Sequence, residues 1–325
     1  MYKEFFIKRT VIVKIFQQLL GKFGMFFGLI VAIVVFSIFS PYFFTLHNLR
    51  NILIQSGTIA IIAAGMTFVI IAGEIDLSVG STLALSSVVG AQIMVSTGNI
   101  FLGILVTLIL GTMLGLFNGI FVAYVQLPSF IVTLASMWLF RGLSYVYTEG
   151  QAIVGLPKGF RNLASGNILN ISNIVWLIFL VYIVCHIFLS KLTVGRKIYA
   201  TGDNKEAARL SGINIKGIKV LVFIISGFLA SLGGVILMSR LNSGQPVAGI
   251  TFELSAIAAA VIGGTSLTNS GVGGVKGTLF GALFISTMQN GLVILNVTSF
   301  WQQVLMGIVV LIAVGVDKYR KIFTE

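Results

Sequence analysis

Few residues in this sequence have the types or spacing for bond-breaking chemistry. His47 and His186 are far apart and each lies in an apolar context. Cys185 is the one cysteine, so it forms no intrachain disulfide or cysteine cluster for a metal, and within an apolar run it reads as packing filler. No serine, histidine and acid are arranged for nucleophilic catalysis, no ligand spacing suits zinc, and no Walker-type loop is present to hold phosphates. Polar groups do appear inside long apolar runs: Gln55, Asn118, Ser136, Arg141, Gln289 and Asn290. Such groups are costly in hydrocarbon and face the interior of a bundle, each other or water. Arg141 is the most expensive of them, and it either pairs with an acid or carbonyl or faces a polar solute. Trp138 nearby could stack on a solute or simply pack.

The elements that must position these groups are apolar spans. With 57% hydrophobic and 9% charged residues, and a mean hydropathy of +1.05, the chain is no soluble domain, for which about 25% charge is usual. Its net charge of +12 would suit nucleic acid, but the basic residues fall in blocks between apolar runs, which is the positive-inside pattern of a membrane protein. The expected fold is an all-α polytopic membrane protein of about ten transmembrane helices, with spans at 23–40, 51–72, 81–95, 99–125, 129–148, 171–189, 220–240, 252–263, 278–296 and 300–316. The 252–263 run is short for a crossing and is expected to continue irregularly into the glycine-rich loop behind it. An even span count puts both termini on one side, and Lys3, Lys8, Arg9, Lys14, Lys22 and the C-terminal Lys318, Arg320 and Lys321 make that side the cytoplasm. The resulting division is a cytoplasmic N-terminal segment 1–22, a membrane domain 23–316 and a cytoplasmic tail 317–325. Segments 41–50, 97–99, 149–170, 240–251 and 297–299 then lie outside.

Residues 195–219 form the one long polar interruption, with eight charged residues. Asp203 can cap a first turn, Glu206 can reach back in a capping box and Gly212 can close the helix in a left-handed conformation. The expected element is a short helix, 204–211, with Ala207, Ala208 and Leu210 on an apolar side and Lys205, Glu206 and Arg209 on a charged one. Two readings stand: a docking helix for a partner outside the membrane, or a solvated linker.

Two further loops interrupt apolar runs where irregular backbone needs protein or water around it. In GEIDLSVGS, Gly73 to Ser81, Asp76 can cap the following helix and Gly73 and Gly80 permit close approach, or the loop is a plain turn. In 262–277, six of sixteen residues are glycine, including Gly263 and Gly264. That density calls for a re-entrant turn or close packing.

The stretches GMTFVIIAGEIDLSVGS, GRKIYATGDNKEAARLSGINI and RLNSGQPVAGITFELSAIAAAVIGGTSL, with SPYFFTLHNLRNIL before and GTLFGALFISTMQNGL after, resemble the membrane subunit of ribose-type ABC sugar importers. The resemblance implies a permease of B12-importer-like architecture, paired with a second copy of itself, with the pathway on the dimer axis. It also implies a cytoplasmic ATPase that binds the ATP and magnesium, no cofactor in this chain, and an external sugar-binding protein. Asp203, Asn204, Glu206, Ala207, Ala208, Arg209, Leu210 and Gly212 match the coupling segment, which favours the docking helix. Where relatives continue GGTSL with a glycine pair, this chain has Thr268, Asn269 and Ser270.

On this reading Gly73, Glu74, Asp76 and Ser78 pair with Gly263, Gly264 and Ser266 as an inner gate. Gln55, Asn118, Arg141, Gln289 and Asn290 are pathway candidates for a monosaccharide. External Lys158, Arg161 and Arg240 are available to a binding protein, since surface charge steers docking. The cell membrane of a prokaryote is the expected location. Two alternatives remain: an ion-coupled secondary transporter, which would need ionisable groups at the midplane, and an ABC permease for a nucleoside or furanosyl signalling molecule.

Overall fold

The computed structural model describes residues 26–322, and side chains to residue 318. The expected N-terminal segment 1–22 lies outside the described residues, as does the end of the tail. Among the described residues, eight helices are long and apolar enough to cross a membrane: α2 (Leu46–Ile71), α3 (Val79–Thr97), α4 (Ile100–Ala123), α5 (Ser129–Thr148), α7 (Asn173–Lys191), α10 (Ile215–Leu241), α12 (Val275–Ile294) and α13 (Ser299–Ile322). Two shorter apolar helices, α1 (Phe26–Phe39) and α11 (Phe252–Ile262), complete the set. The protein is therefore an all-α, multi-pass membrane protein. Between the spans lie the small helices α6 (Asn162–Ser165), α8 (Thr193–Asp203) and α9 (Lys205–Leu210). A two-residue hairpin, β1 (Asn167–Ile168) and β2 (Ile171–Ser172), precedes α7.

The sequence sets these boundaries with local chemistry. Thr45, Asn99 and Asn214 each stand one residue before a helix and accept from a first-turn amide, those of Asn48, Leu102 and Gly217. Gly98 and Asn242, both left-handed, end α3 and α10. At 26 residues, α2 is about 39 Å long. It is buried continuously from Ser56 to Ala72, with α7, α10, α11 and α12 packed around it. A stripe of isoleucine and alanine suits this position, because helices in hydrocarbon associate through shape rather than through any hydrophobic difference from lipid. Helices α4 and α10 approach closely: a Cβ on Gly115 would fall 2.2 Å from the Phe223 carbonyl oxygen.

The eighth crossing differs from the expectation. Phe252–Ile262 is a helix, but the irregular half precedes it rather than follows it. After α10 ends, the chain turns back beside α3. Gly244 lies against Val88 and Ala91, and Gly249 lies against Gly80, so residues 244–249 run along about three turns of a membrane helix. Much of the 240–251 segment, expected as a loop, thus lies beside a membrane helix. Its beginning is anchored at the α6 end by an antiparallel bridge between Gly244 and Ile153. The close approach at the other end explains both glycines there: a Cβ on Gly249 would fall 2.6 Å from the Gly80 carbonyl oxygen. Thr251, at φ +69, closes the irregular stretch before α11 begins.

Candidate functional site

Asp76 is the centre of a buried polar knot. Its Oδ1 accepts from the Ser78 amide at 2.9 Å and the Ser78 hydroxyl at 2.7 Å, and its Oδ2 accepts from Ser226 of α10 at 2.7 Å. Asn118 of α4 donates to Ser78 Oγ at 2.8 Å, and Ser136 of α5 donates to Asn118 Oδ1 at 2.6 Å. Donors and acceptors alternate consistently along this chain, so every group in it is satisfied. This corrects the sequence reading of Asp76 as a cap on free first-turn amides. Ser78 precedes α3 with no side-chain cap of its own, and the Asp76 carboxylate joins the α2–α3 loop to α10, with α4 and α5 held through Ser78 and Asn118. Asn118 and Ser136 belong to the knot rather than to an exposed face.

Arg141, the costliest polar residue in a span, holds backbone. Its Nη1 donates to the carbonyls of Pro246 and, at 2.7 Å, Ala248, both in the irregular half of the eighth crossing. Ser144, one turn on, reaches the Pro246 carbonyl more weakly at 3.4 Å. A guanidinium presents several N–H groups in a fixed fork, which suits two carbonyls left over where a helix is broken. Of the two alternatives posed by the sequence, pairing with carbonyls is the one observed.

A second cluster lies at the end of the bundle that carries α8 and α9. Glu74 is buried, and its Oε1 receives Lys219 of α10 at 2.7 Å and Lys205, the first residue of α9, at 3.4 Å. The short helix is present over Lys205–Leu210, but Asn204 caps it through the Ala207 amide, not Asp203, which is the last residue of α8. The Asp203–Glu206 capping box does not form. Glu206 instead pairs with Arg209 at 2.8 Å in water. Gly212, at φ +78, closes the helix as expected, its amide and that of Ile213 returning to Arg209 and Ala208. Ala208 faces inward, whereas Ala207, Arg209 and Leu210 face out, with Leu210 84% exposed.

The two glycine loops meet here at Gly73, one of the residues expected, but on the second loop at residues other than Gly263, Gly264 and Ser266. Gly73 lies against Ser270, and the Gly271 amide donates to the Ile71 carbonyl at 2.9 Å, so the contact runs through residues 270 and 271. Ser78 is committed to the knot, and Ser266 is held elsewhere. The Asp317 carboxylate near the end of α13 accepts from Ser266 Oγ and the Leu267 amide at 3.0 Å, and from the amide and hydroxyl of Thr268 at 3.2 Å. Gly263 packs on the start of α12, and Gly264 adopts φ +88 in the turn that follows α11. Tyr199 of α8 donates to the Gly273 carbonyl at 2.9 Å, and burial pushes its phenol above the ordinary value, so it remains a donor. Removing the four-donor acceptor by Asp317→Ala is expected to free this loop. Amide exchange at 267–271 should rise about tenfold or more, since hydrogen bonds to charged groups contribute about 1.5–3 kcal/mol each. Unchanged exchange there, with intact α13, would remove the clamp.

The remaining candidates scatter. Asn290 is buried and accepts from Asn48 at 2.9 Å, Gln289 is half-buried on α12, and Gln55 is exposed near the start of α2. Lys158 and Arg161 are exposed beside α6, while Arg240 is half-buried at the end of α10. Arg50 binds Asn167 and the Asn170 carbonyl, tying α2 to the hairpin. His47 is exposed, His186 is half-buried on α7 and Cys185 is buried there. Sequence reasoning missed Ser226, Lys219 and Asp317. Only Asp317 left a signal, as an acid set directly before Lys318, Arg320 and Lys321.

Among the described residues, ten apolar helices with α2 nearly enclosed among them, an irregular half-crossing held by an arginine of α5, and a capped polar helix at one end define a multi-pass membrane protein. The chain belongs to the family described as branched-chain amino acid transport system / permease component, whose model matches residues 48–314. It is 45% identical over 298 residues to the ribose import permease protein RbsC of Haemophilus influenzae, covering 90% of this chain and 92% of that protein. It is 44% identical over 307 residues to RbsC of Bacillus subtilis, covering 94% and 95%. It is also 36% identical over 304 residues to the L-arabinose ABC transporter permease protein AraH of Azospirillum brasilense, covering 94% and 89%. No solved structure matches it.

Proposed function

We propose that this chain is the membrane permease of an ATP-driven importer for a monosaccharide, with D-ribose the leading substrate. The observation that carries the reading is similarity along nearly the whole length to permeases named for ribose, supported by others named for arabinose and allose. The family's description names branched-chain amino acids, but the kinship at 34–45% identity is with sugar permeases, and sugar hydroxyls need polar partners rather than paired charges. Two of the three acids near span ends are engaged, which weighs against an ion-coupled carrier: Asp76 by hydroxyls and an amide, and Glu74 by two lysines. The same permease design could carry a nucleoside or a furanosyl signal.

The chain itself catalyses nothing in this reading. A cytoplasmic ATPase binds ATP and magnesium and docks on α9, which places α8, α9 and both termini in the cytoplasm of a prokaryotic cell. The permease works as a pair of identical copies, and an external sugar-binding protein is received on the α6 face near Lys158, Arg161 and Arg240. Membrane lipid covers the outer helices, and nucleic acid has no part. Glu74 supports the coupling role physically, because its ion pair with Lys205 would transmit a push on α9 to the loop that holds Asp76. The docking helix is tested by Leu210→Glu, which leaves the Asn204 cap and Gly212 turn in place. Retention of the ATPase on the purified permease and ribose uptake should both fall about tenfold, as expected when an exposed apolar anchor is lost from an interface. Full retention and uptake would move the docking site off α9.

A further inference from the structure

The irregular half of the eighth crossing presents a face that hydrocarbon cannot cover. Its peptide groups at Val247 and Ile250 make no hydrogen bond among the described residues, although the stretch lies alongside the membrane helix α3 between Ala91 and Gly80. The side chains of Val247 and Ile250 are 48% and 53% exposed, and Leu254, one turn into α11, is 43% exposed. Arg141 adjoins the same stretch: its Nη1 is used on Pro246 and Ala248, while its Nη2 and Nε donors make no hydrogen bond among the described residues. Open peptide groups at membrane depth are tolerated against protein or water, not lipid.

We propose that this face borders a water-filled stretch of the translocation pathway and that a monosaccharide crosses it, its hydroxyls meeting the open peptide groups of Val247 and Ile250 and the remaining Arg141 donors. The substrate identity rests on the sugar-importer reading above; the water-lined face does not. A wall of three apolar side chains with intermittent polar groups suits a passing solute, because strong binding at any one point would hold it there. The broken span then has a use: an unbroken helix would satisfy all its own peptide groups and offer the sugar none.

The test uses the complete transporter with its ATPase in proteoliposomes, with Cys185→Ser as background. Val247→Cys and Ile250→Cys are compared with Ile109→Cys on α4 and Phe179→Cys on α7, which are exposed positions on unbroken apolar helices. A charged methanethiosulfonate should label the first pair at least tenfold faster than the second, while lipid-soluble N-phenylmaleimide reaches all four. Labelling at Val247→Cys should also block uptake of D-ribose. Equal slow labelling by the charged reagent would assign the face to lipid, and spontaneous disulfides between two copies would assign it to a protein interface; either overturns the proposal. Fast labelling without loss of ribose uptake would reduce the face to a side crevice and overturn it as well. Fast labelling in an otherwise intact transporter that imports neither D-ribose nor L-arabinose would keep the water-lined path and overturn the sugar as its occupant.

Discussion

Replacing Asp76 with leucine is expected to unfold the permease or leave it unable to assemble, while asparagine at the same position is tolerated. Leucine is larger and has no acceptor, so the Ser78 amide, the Ser78 hydroxyl and the Ser226 hydroxyl lose their partner together in a buried site. Each orphaned buried donor costs about 1–3 kcal/mol, and three of them approach a typical total stability of about 5–15 kcal/mol. Hydroxyls can turn to carbonyls of their own helices, which recovers part of the loss, but the Ser78 amide cannot turn. Asparagine keeps the oxygen that receives both Ser78 donors. Its NH2 would face Ser226 Oγ, which can accept it and send its own hydrogen to a helical carbonyl. The asparagine protein should therefore lie within about 1–2 kcal/mol of the parent. Thermal unfolding in detergent, followed through tryptophan fluorescence, separates the two variants. A leucine protein as stable as the parent would mean that the knot contributes nothing to holding α3, α4, α5 and α10 together.

The knot also shows what could be read from the sequence and what could not. Composition and span length gave the class, because peptide groups in hydrocarbon leave few architectures. The turn at Gly212 was legible because left-handed backbone has few occupants other than glycine and asparagine. Partners distant in sequence were not legible. Asp76 was a good local cap by every short-range rule, yet it serves Ser226, 150 residues away, since a residue's neighbours across a bundle depend on how helices rotate against each other. The same holds for Asp317, which sequence placed in a tail and the fold places on the 266–268 loop. Asp203 and Asn204 illustrate a smaller limit: two adjacent capping residues compete, and the helix start is decided by α8 running through Asp203. The eighth crossing was recognised as short, but its missing half was assigned to the glycine-rich side. Gly263 and its neighbours instead pack on α12, while the segment holding Pro246 and Gly249, poorer in glycine, enters beside α3.

Changing Arg141 to leucine is expected to abolish import without unfolding the protein. The guanidinium contributes two charge-assisted hydrogen bonds to carbonyls that have no other strong partner, and each is worth about 1.5–3 kcal/mol. Ser144 can keep part of the Pro246 contact, but nothing is placed to replace the one at Ala248. The helices around the break stay packed, since the knot at Asp76, the bridge at Ile153 and the Gly80–Gly249 contact do not involve Arg141. The consequence is local: residues 246–250 lose their fixed path beside α5, and a route shaped by them is lost in most molecules. At 1.4 kcal/mol per tenfold change, loss of one bond alone should reduce initial uptake about tenfold, and loss of both about a hundredfold. Lysine at the same position reaches one carbonyl as a point charge and should retain an intermediate rate, whereas glutamine, with two neutral donors, should fall below lysine. Detergent melting close to that of the parent must accompany the loss, and amide exchange at 247–250 should rise while that of α3 and α5 does not. If the leucine variant imports at the parental rate, the broken crossing holds its path without the arginine, and the charge in α5 must be explained by something other than the backbone it touches.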